Sequence, residues 1–182
     1  FGHVGLATSA RQIADATHVA GTFLHRDHAA RLQQVEHVDG PDCLIIGGGQ
    51  GGIMLAARLR RLGVPTIVIE KNPRAGDSWR NRYRSLCLHD PVWYDHLPYL
   101  PFPEHWPVFA PKDKIGDWLE MYTKVMELNY WTRTVCKAAH YDDSAQEWVV
   151  VVDRDGQEVV LRPKQLVLAT GMSGKANVPI IK

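Results

Sequence analysis

The sequence predicts an α/β domain in which a parallel sheet with helices is accompanied by a small antiparallel β-meander. The first observation is the order of segments within 43–70, where two short apolar runs enclose a glycine-dense turn and a helical segment. The second is a set of strand-like segments over 134–161, the last two joined by a turn that contains Asp155 and Gly156. The third is the strand-like segment "QLVLATG" at 165–171, which ends in small residues. A strand–turn–helix–strand order of this kind is typical of a Rossmann-like fold.

Length and composition limit the function classes open to the chain. Its 182 residues are enough for one domain with a hydrophobic core, and its 45% hydrophobic and 23% charged residues are ordinary for a globular protein. The formal net charge of +1 gives no electrostatic reason to expect nucleic acid or a membrane as partner. No apolar run approaches the roughly 18–20 residues of a membrane span, and no signal peptide is visible. We therefore expect a cytoplasmic protein.

The cysteines and histidines do not form a metal-site pattern. Cys43, Cys87 and Cys136 lie far apart without C-x-x-C or Cys/His spacing, so we interpret them as reduced structural thiols. The N-terminal histidines are interpreted as solvated helix residues rather than metal ligands; they are His18, His25, His28 and His37. The sequence therefore predicts no metal site.

The chain divides into two regions. Residues 1–40 have helical composition, broken by "DGP" at 39–41, and are predicted to form a helical linker or docking arm. Residues 41–182 contain the predicted α/β domain. Because the chain begins with Phe1 and stops at Lys182, shortly after a strand-like segment, we expect it to be a piece of a longer polypeptide with an incomplete domain.

The turn at 47–52 matches the pattern G-x-G-x-x-G. Gly47 permits a tight turn out of the strand, Gly49 lets a pyrophosphate approach the backbone, and Gly52 lets the helix pack close to the strand. The N–H groups at the start of that helix would then face the phosphates. The remaining residues of the turn are Gly48 and Gly51, which are expected to add room without being required, and Gln50.

Glu70 follows the second apolar run and lies eighteen residues after Gly52. This spacing is close to the ~20 residues expected before a ribose-binding acid. Its carboxylate would accept hydrogen bonds from both ribose hydroxyls and would repel a 2′-phosphate, which disfavours NADP at this position. FAD and NAD share this adenosine end, so the motif leaves open which of the two is bound.

Two segments downstream of the glycine motif bear on which dinucleotide it binds. "GDSW" at 76–79 resembles the G-G-x-W segment of class B flavin-dependent monooxygenases, and "ATG" at 169–171 resembles the segment that ends their FAD-domain strand. "NRYRSLCLHDP" at 81–91 is more similar to the YUCCA-like branch than to the Baeyer–Villiger branch. The resemblance covers residues 42–182. It implies that 41–182 form a Rossmann-like FAD-binding domain with a parallel sheet and a small β-meander.

The resemblance also implies which residues line the cofactor. It places the pyrophosphate over residues 47–52 and the ribose on Glu70. The further candidates along FAD are Lys71, Asp77, Trp79, Arg80, Leu88, His89, Val135, Ala169, Thr170 and Gly171. Asp77 stands where the family pattern has its second glycine, which calls the local backbone geometry into question.

For the intact protein the resemblance implies an NADPH-dependent monooxygenase. NADPH would reduce FAD, O₂ would add to give a flavin C4a-hydroperoxide, and one oxygen would pass to a small organic substrate. The NADPH-binding domain of the family is expected after Lys182. No residue of this stretch is assigned a catalytic role, and a homo-oligomer is left open.

Two alternative functions remain at this point. One is another FAD- and NAD(P)H-dependent oxidoreductase such as a disulfide reductase, although Cys87 lacks the nearby second cysteine that such an enzyme needs. The other is a non-catalytic FAD-binding module.

Overall fold

The computed structural model describes residues 40–172 and residue 179. The predicted N-terminal arm lies outside the described residues, except for Gly40. The bounds and contacts below refer to the described part of the chain.

A four-stranded parallel sheet lies at the centre of the domain. Its strands, in the spatial order β3-β2-β1-β7, are β3 (Tyr130–Trp131), β2 (Thr66–Ile69), β1 (Cys43–Ile46) and β7 (Gln165–Leu168). All neighbouring pairs are parallel, which confirms the predicted parallel sheet. Because the carboxyl ends of parallel strands share one edge, the segments that follow Ile46, Ile69, Trp131 and Leu168 meet there.

Three antiparallel strands form a second sheet. They are β4 (Thr134–Asp142), β5 (Glu147–Arg154) and β6 (Gln157–Leu161). β5 and β6 are joined by Asp155 and Gly156, with φ of 52° and 82°, as in the two-residue turns that suit the twist of a hairpin. The predicted β-meander is confirmed.

Three α-helices and a 3₁₀ helix lie within residues 40–172. They are α1 (Gln50–Arg61), α2 (Asp77–Arg80) and α3 (Lys112–Val125), with a 3₁₀ helix at Val92–Tyr94. The chain leaves α1 through Gly63, whose φ of 73° favours glycine. None of the helices in residues 40–172 is long and apolar enough to cross a membrane.

The start of α3 differs from the prediction in one detail. The apolar spacing over residues 112–127 predicts a helix with Asp113 as a possible N-cap, but Pro111 occupies the cap position and Asp113 lies in the first turn. There its carboxylate binds Lys112 Nζ at 2.6 Å. Proline suits this position because its missing N–H would lack a helical partner in any case.

Both faces of the parallel sheet are buried. One face packs on the meander through Leu44, Ile67, Ile69, Val150 and Val152. The other face packs on α1 through Cys43, Ile45, Val68 and Ala56. Side chains alternate along each strand, so the short continuous apolar runs are what burial on two sides requires.

Close backbone approach joins α2 to α3 at a pair of glycines. Gly76 has a φ of 88°, and a Cβ there would collide with the carbonyl oxygen of Gly116. A Cβ on Gly116 would in turn come within 2.7 Å of Arg80 Cγ. The "GDSW" segment is therefore held against α3 at van der Waals distance.

An ion cluster strengthens the same junction. The guanidinium of Arg80 binds Asp77, Asp117 and Glu120, each at 2.9 Å, and is 13% exposed. Arg74 donates to Glu120 at 2.6 Å. This hydrogen bond is the main reason that the pKa of Glu120 is lowered to about 2.

Glu120→Gln is expected to destabilise the domain at neutral pH and progressively less in acid. The pKa of Glu120 lies below its usual 4.5 in the folded protein, so its ion pairs contribute above about pH 4.5 and are lost as the pH falls toward about 2. Urea unfolding of both proteins across this range measures the difference, with Glu104→Gln as an exposed control. A difference that stays constant with pH would contradict the assignment.

Gly76→Ala is expected to lower the free energy of unfolding by about 2–4 kcal/mol, because strain at positive φ adds to a backbone collision. Gly156→Ala is the matched control, since Gly156 has a similar φ of 82° and nothing lies within 4 Å of its Cβ position. Denaturant unfolding compares the two variants. Equal losses would show that the Gly116 contact contributes nothing.

Candidate dinucleotide-binding site

The glycine turn is packed against the end of β7. Gly47 has a φ of 112°, and a Cβ there would collide with the carbonyl oxygen of Ala169. Ala169 N donates to Ile46 O at 2.8 Å and continues the pairing of the two strands. The structure thus places the start of "ATG" directly beside the turn, while Thr170 and Gly171 are exposed.

Gly52 lets α1 begin close to the sheet. A Cβ at Gly52 would collide with the carbonyl oxygen of Gly47 and lie 3.3 Å from Ile45 Cγ2. The close helix–strand packing that the sequence predicted for this third glycine is present. α1 therefore begins close to the end of β1.

The first turn of α1 is open on the side of Gly49. Gly49 is the N-cap residue, and no side chain caps the helix. A Cβ on Gly49 would meet only Ser78, whose Oγ would be 3.7 Å away, and Gly51 has nothing within 4 Å of its Cβ position. Exposed Gln50 begins the helix, and Trp79 Nε1 donates to its Oε1 at 3.2 Å.

Ser78 provides an orphaned donor at this place. Within residues 40–172, its Oγ is buried and has no hydrogen-bond partner. Buried hydroxyls normally have a partner, and a phosphate oxygen is a suitable one. Uncapped helix N–H groups, a glycine that no side chain crowds and the unpartnered Ser78 hydroxyl together fit a bound pyrophosphate.

Glu70 is a buried carboxylate at the end of β2, with 6% of the residue exposed. Its Oε2 accepts a hydrogen bond from Gly48 N at 2.9 Å. Its Oε1 accepts two from Asn72, at 2.9 Å from the backbone N and 2.7 Å from Nδ2. A carboxylate has about four acceptor positions, so one on Oε2 remains for a ribose hydroxyl. Glu70 thus positions the turn, a role that spacing alone did not reveal.

Gly48 is more constrained than the sequence indicated. A Cβ at this position would collide with the side chain of Tyr130, whose hydroxyl donates to Gly48 O at 2.7 Å. The expectation that Gly48 only adds room is therefore wrong. Burial, together with Glu70 and Asp77, raises the pKa of Tyr130 far above its usual value, so the hydroxyl remains a neutral donor.

The aspartate in "GDSW" does not distort the backbone. The left-handed residue is Gly76, whereas Asp77 begins α2 in helical conformation. Asp77 is buried and its Oδ1 accepts a hydrogen bond from Arg80 Nη1 at 2.9 Å. Arg80 also donates to Ala75 O at 2.9 Å, so this side chain holds α2 in place through protein contacts.

The remaining candidate residues lie in different surroundings. Leu88 is buried in an apolar cluster that includes Ile53 of α1, whereas His89 and Lys71 are exposed. Val135 is 41% exposed and follows Thr134, whose backbone N donates to Glu70 O at 2.9 Å. The start of the meander is thus joined to the acid.

Residues 40–172 and residue 179 contain no group of three or more His, Cys, Asp or Glu that could hold a metal ion.

Three site residues were missed by the sequence reasoning: Asn72, Ser78 and Tyr130. Asn72 follows the acid by two residues, and Ser78 fills the unspecified place of "GDSW", so both have a local signal in the sequence. Tyr130 is 82 residues from Gly48, and no local pattern links the two.

The comparisons with known proteins agree with this geometry. A family model described as "FAD binding domain" matches residues 41–89. The chain is 34% identical over 145 residues to the probable indole-3-pyruvate monooxygenase YUCCA9 of Arabidopsis thaliana, covering 79% of this chain and 34% of that protein. It is 34% identical over 140 residues to the indole-3-pyruvate monooxygenase YUCCA1 of Oryza sativa subsp. japonica, covering 76% and 34%. The chain thus spans about a third of the length of these curated relatives.

Solved structures resemble the same portion. The fold matches OTEMO in complex with FAD and NADP with a TM-score of 0.68 and 26% identity, covering 78% of this chain and 27% of that one. It also matches the flavin-containing monooxygenase from Stenotrophomonas maltophilia with a TM-score of 0.68 and 25% identity, covering 78% and 42%. Together with the glycine turn and its buried acid, these matches show that the chain is similar to the FAD-binding portion of class B flavin-dependent monooxygenases.

Proposed function

We propose that this chain binds FAD at the glycine turn and that the intact protein is an NADPH-dependent monooxygenase acting on a small organic substrate with O₂. The observation that carries the FAD assignment is the arrangement around Gly49. Uncapped N–H groups of α1 and the unpartnered hydroxyl of Ser78 lie at one place, and buried Glu70 holds the same turn. The relatives support the oxygenase activity, since they are named as monooxygenases.

Different residues would bind different parts of the cofactor. The backbone around Gly49 and the Ser78 hydroxyl would bind the pyrophosphate, and the free acceptor position of Glu70 would bind the ribose. The backbone of Val135, one residue from the Thr134–Glu70 hydrogen bond, is our candidate for the adenine. When bound, the flavin supplies the electron transfer from NADPH and the oxygen transfer to substrate.

Other candidates keep more limited roles in this proposal. Gln50 orients Trp79 through the hydrogen bond to its indole, and the pair would border the cofactor. Arg80 and Asp77 would act indirectly, by holding α2 against α3. Contacts from Gly51, Lys71, Leu88, His89, Thr170 and Gly171 stay predictions.

The partners are proposed from the relatives. NADPH would bind to a part of the intact protein that the described residues do not include. Indole-3-pyruvate is the first substrate to assay, because the curated relatives are named for it. The three cysteines in the described residues are free thiols, which favours a reducing compartment such as the cytoplasm.

Flavin binding is tested first by absorbance of the purified chain. We expect the oxidised flavin bands, and chromatography of the heat-released cofactor should identify FAD rather than FMN. A protein that remains colourless after reconstitution with FAD would overturn the assignment. In the intact protein, bleaching by NADPH and recovery with O₂ would support the oxygenase, while flavin that NADPH never bleaches would favour a non-catalytic module.

Glu70→Gln is expected to raise the dissociation constant of FAD by about 10-fold or more. The Glu70 carboxylate faces three protein donors, so an amide NH₂ would confront one of them, and a lost bond to a charged group costs ~1.5–3 kcal/mol. Flavin fluorescence titration of the apo-protein measures this. Glu158→Gln, on an exposed position of the meander, is the control. Equal affinity in both variants would contradict the role of Glu70.

A further inference from the structure

Two side chains from neighbouring strands hold both polar groups of one glycine. Gly48 N donates to Glu70 Oε2 at 2.9 Å, and Gly48 O accepts from Tyr130 Oη at 2.7 Å. The N–H belongs to the peptide before Gly48 and the carbonyl to the peptide after it. Both rotatable backbone angles of Gly48 are therefore restrained, at a residue type that would otherwise be the most flexible in the chain.

Tyr130 is itself fixed by the fold. It belongs to β3, where it pairs with Val68 of β2, and its ring packs against the apolar clusters on the helical side of the sheet. The strand thereby holds the Tyr130 hydroxyl next to the glycine turn. The collision of a Gly48 Cβ with this ring shows how closely the two groups approach.

We propose that Tyr130 is a positioning residue for the cofactor: with Glu70 it locks the peptides around Gly48, so that the N–H groups of Gly49 and the start of α1 are oriented before a dinucleotide pyrophosphate binds. This inference deepens the proposed function and rests on it for the identity of the ligand. Rigid donors bind more tightly because less conformational entropy is lost on binding. Tyr130 acts through the backbone of Gly48 and does not need to touch the cofactor.

Tyr130→Phe in the full chain tests this, with Tyr122→Phe as the matched control. Tyr122 is fully buried in α3, and its hydroxyl donates to a backbone carbonyl, Pro98 O, at 2.6 Å. Each variant removes one hydroxyl-to-carbonyl hydrogen bond, so both should lose stability. Only Tyr130→Phe should weaken FAD binding, by about 3- to 10-fold, as expected for the net value of one hydrogen bond. Equal dissociation constants for the two variants would overturn the inference.

Amide hydrogen exchange of the apo-protein gives a second readout that needs no flavin. The amide of Gly48, which is bonded to Glu70 Oε2, should exchange faster in Tyr130→Phe than in wild type, while Tyr122→Phe should leave it unchanged. Unchanged exchange in Tyr130→Phe would overturn the locking role even if FAD affinity fell. A wild-type chain that binds no FAD would instead refute the proposed function, and the exchange data would still report on the lock.

A double-mutant cycle tests whether Glu70 and Tyr130 act together on Gly48. Because Glu70 and Tyr130 restrain the same residue, Tyr130→Phe should weaken FAD binding less in a Glu70→Gln background than in wild type. Independent, multiplicative effects would contradict a shared action on Gly48.

Discussion

The buried carboxylate of Glu70 is the interaction on which the site depends. A charged group that is 6% exposed needs several hydrogen bonds to be tolerated, and Glu70 obtains three from Gly48 and Asn72. Its backbone adds two more links, because Glu70 N donates to Trp131 O and Glu70 O accepts from Thr134 N. One residue thus joins the glycine turn, the segment after β2 and the start of the meander. The candidate cofactor site is where these three pieces meet.

The sheet is able to present these pieces because it is covered on both faces. α1 packs on one face and β5 on the other, so the strands are held in a fixed register. Parallel pairing then brings four strand ends to one edge. Polar residues at that edge are supported by a packed core below them, which favours a preformed site over one that must assemble around its ligand.

Glycines in this domain serve two distinct purposes. Gly47 and Gly52 lack a Cβ because strands and helix approach one another there, and Gly76 does so where α2 meets α3. A Cβ on Gly49 would make only an ordinary van der Waals contact with Ser78, and Gly51 has open space around its Cβ position, which suits the approach of a ligand. Gly48 belongs to the first group, although the motif alone placed it among the residues that merely add room. The difference comes from Tyr130, which is distant in the sequence.

Much of the fold and the outline of the site could be predicted from local patterns. Apolar runs, helical periodicity, the glycine spacing and Glu70 are all encoded within about thirty residues, because each reflects a single strand–turn–helix–strand unit. The two-residue turn at Asp155–Gly156 likewise follows from the φ values that those residues allow. The local patterns left open whether FAD or NAD is bound, and the family resemblance of "GDSW" and "ATG" indicated FAD.

Only the tertiary structure decided how these residues cooperate. The hydrogen bond from Tyr130 to Gly48 and the contact of Gly76 with Gly116 join residues far apart in the chain, so no periodicity or spacing could reveal them. The use of Glu70 as an anchor for the turn depends on the same distances in space. The sequence by itself therefore predicted the glycine turn as the place of a dinucleotide and Glu70 as the acid for its ribose. Packing between distant segments determined how the turn is held, because hydrogen bonds and steric contacts act over a few ångströms, whatever the separation along the chain.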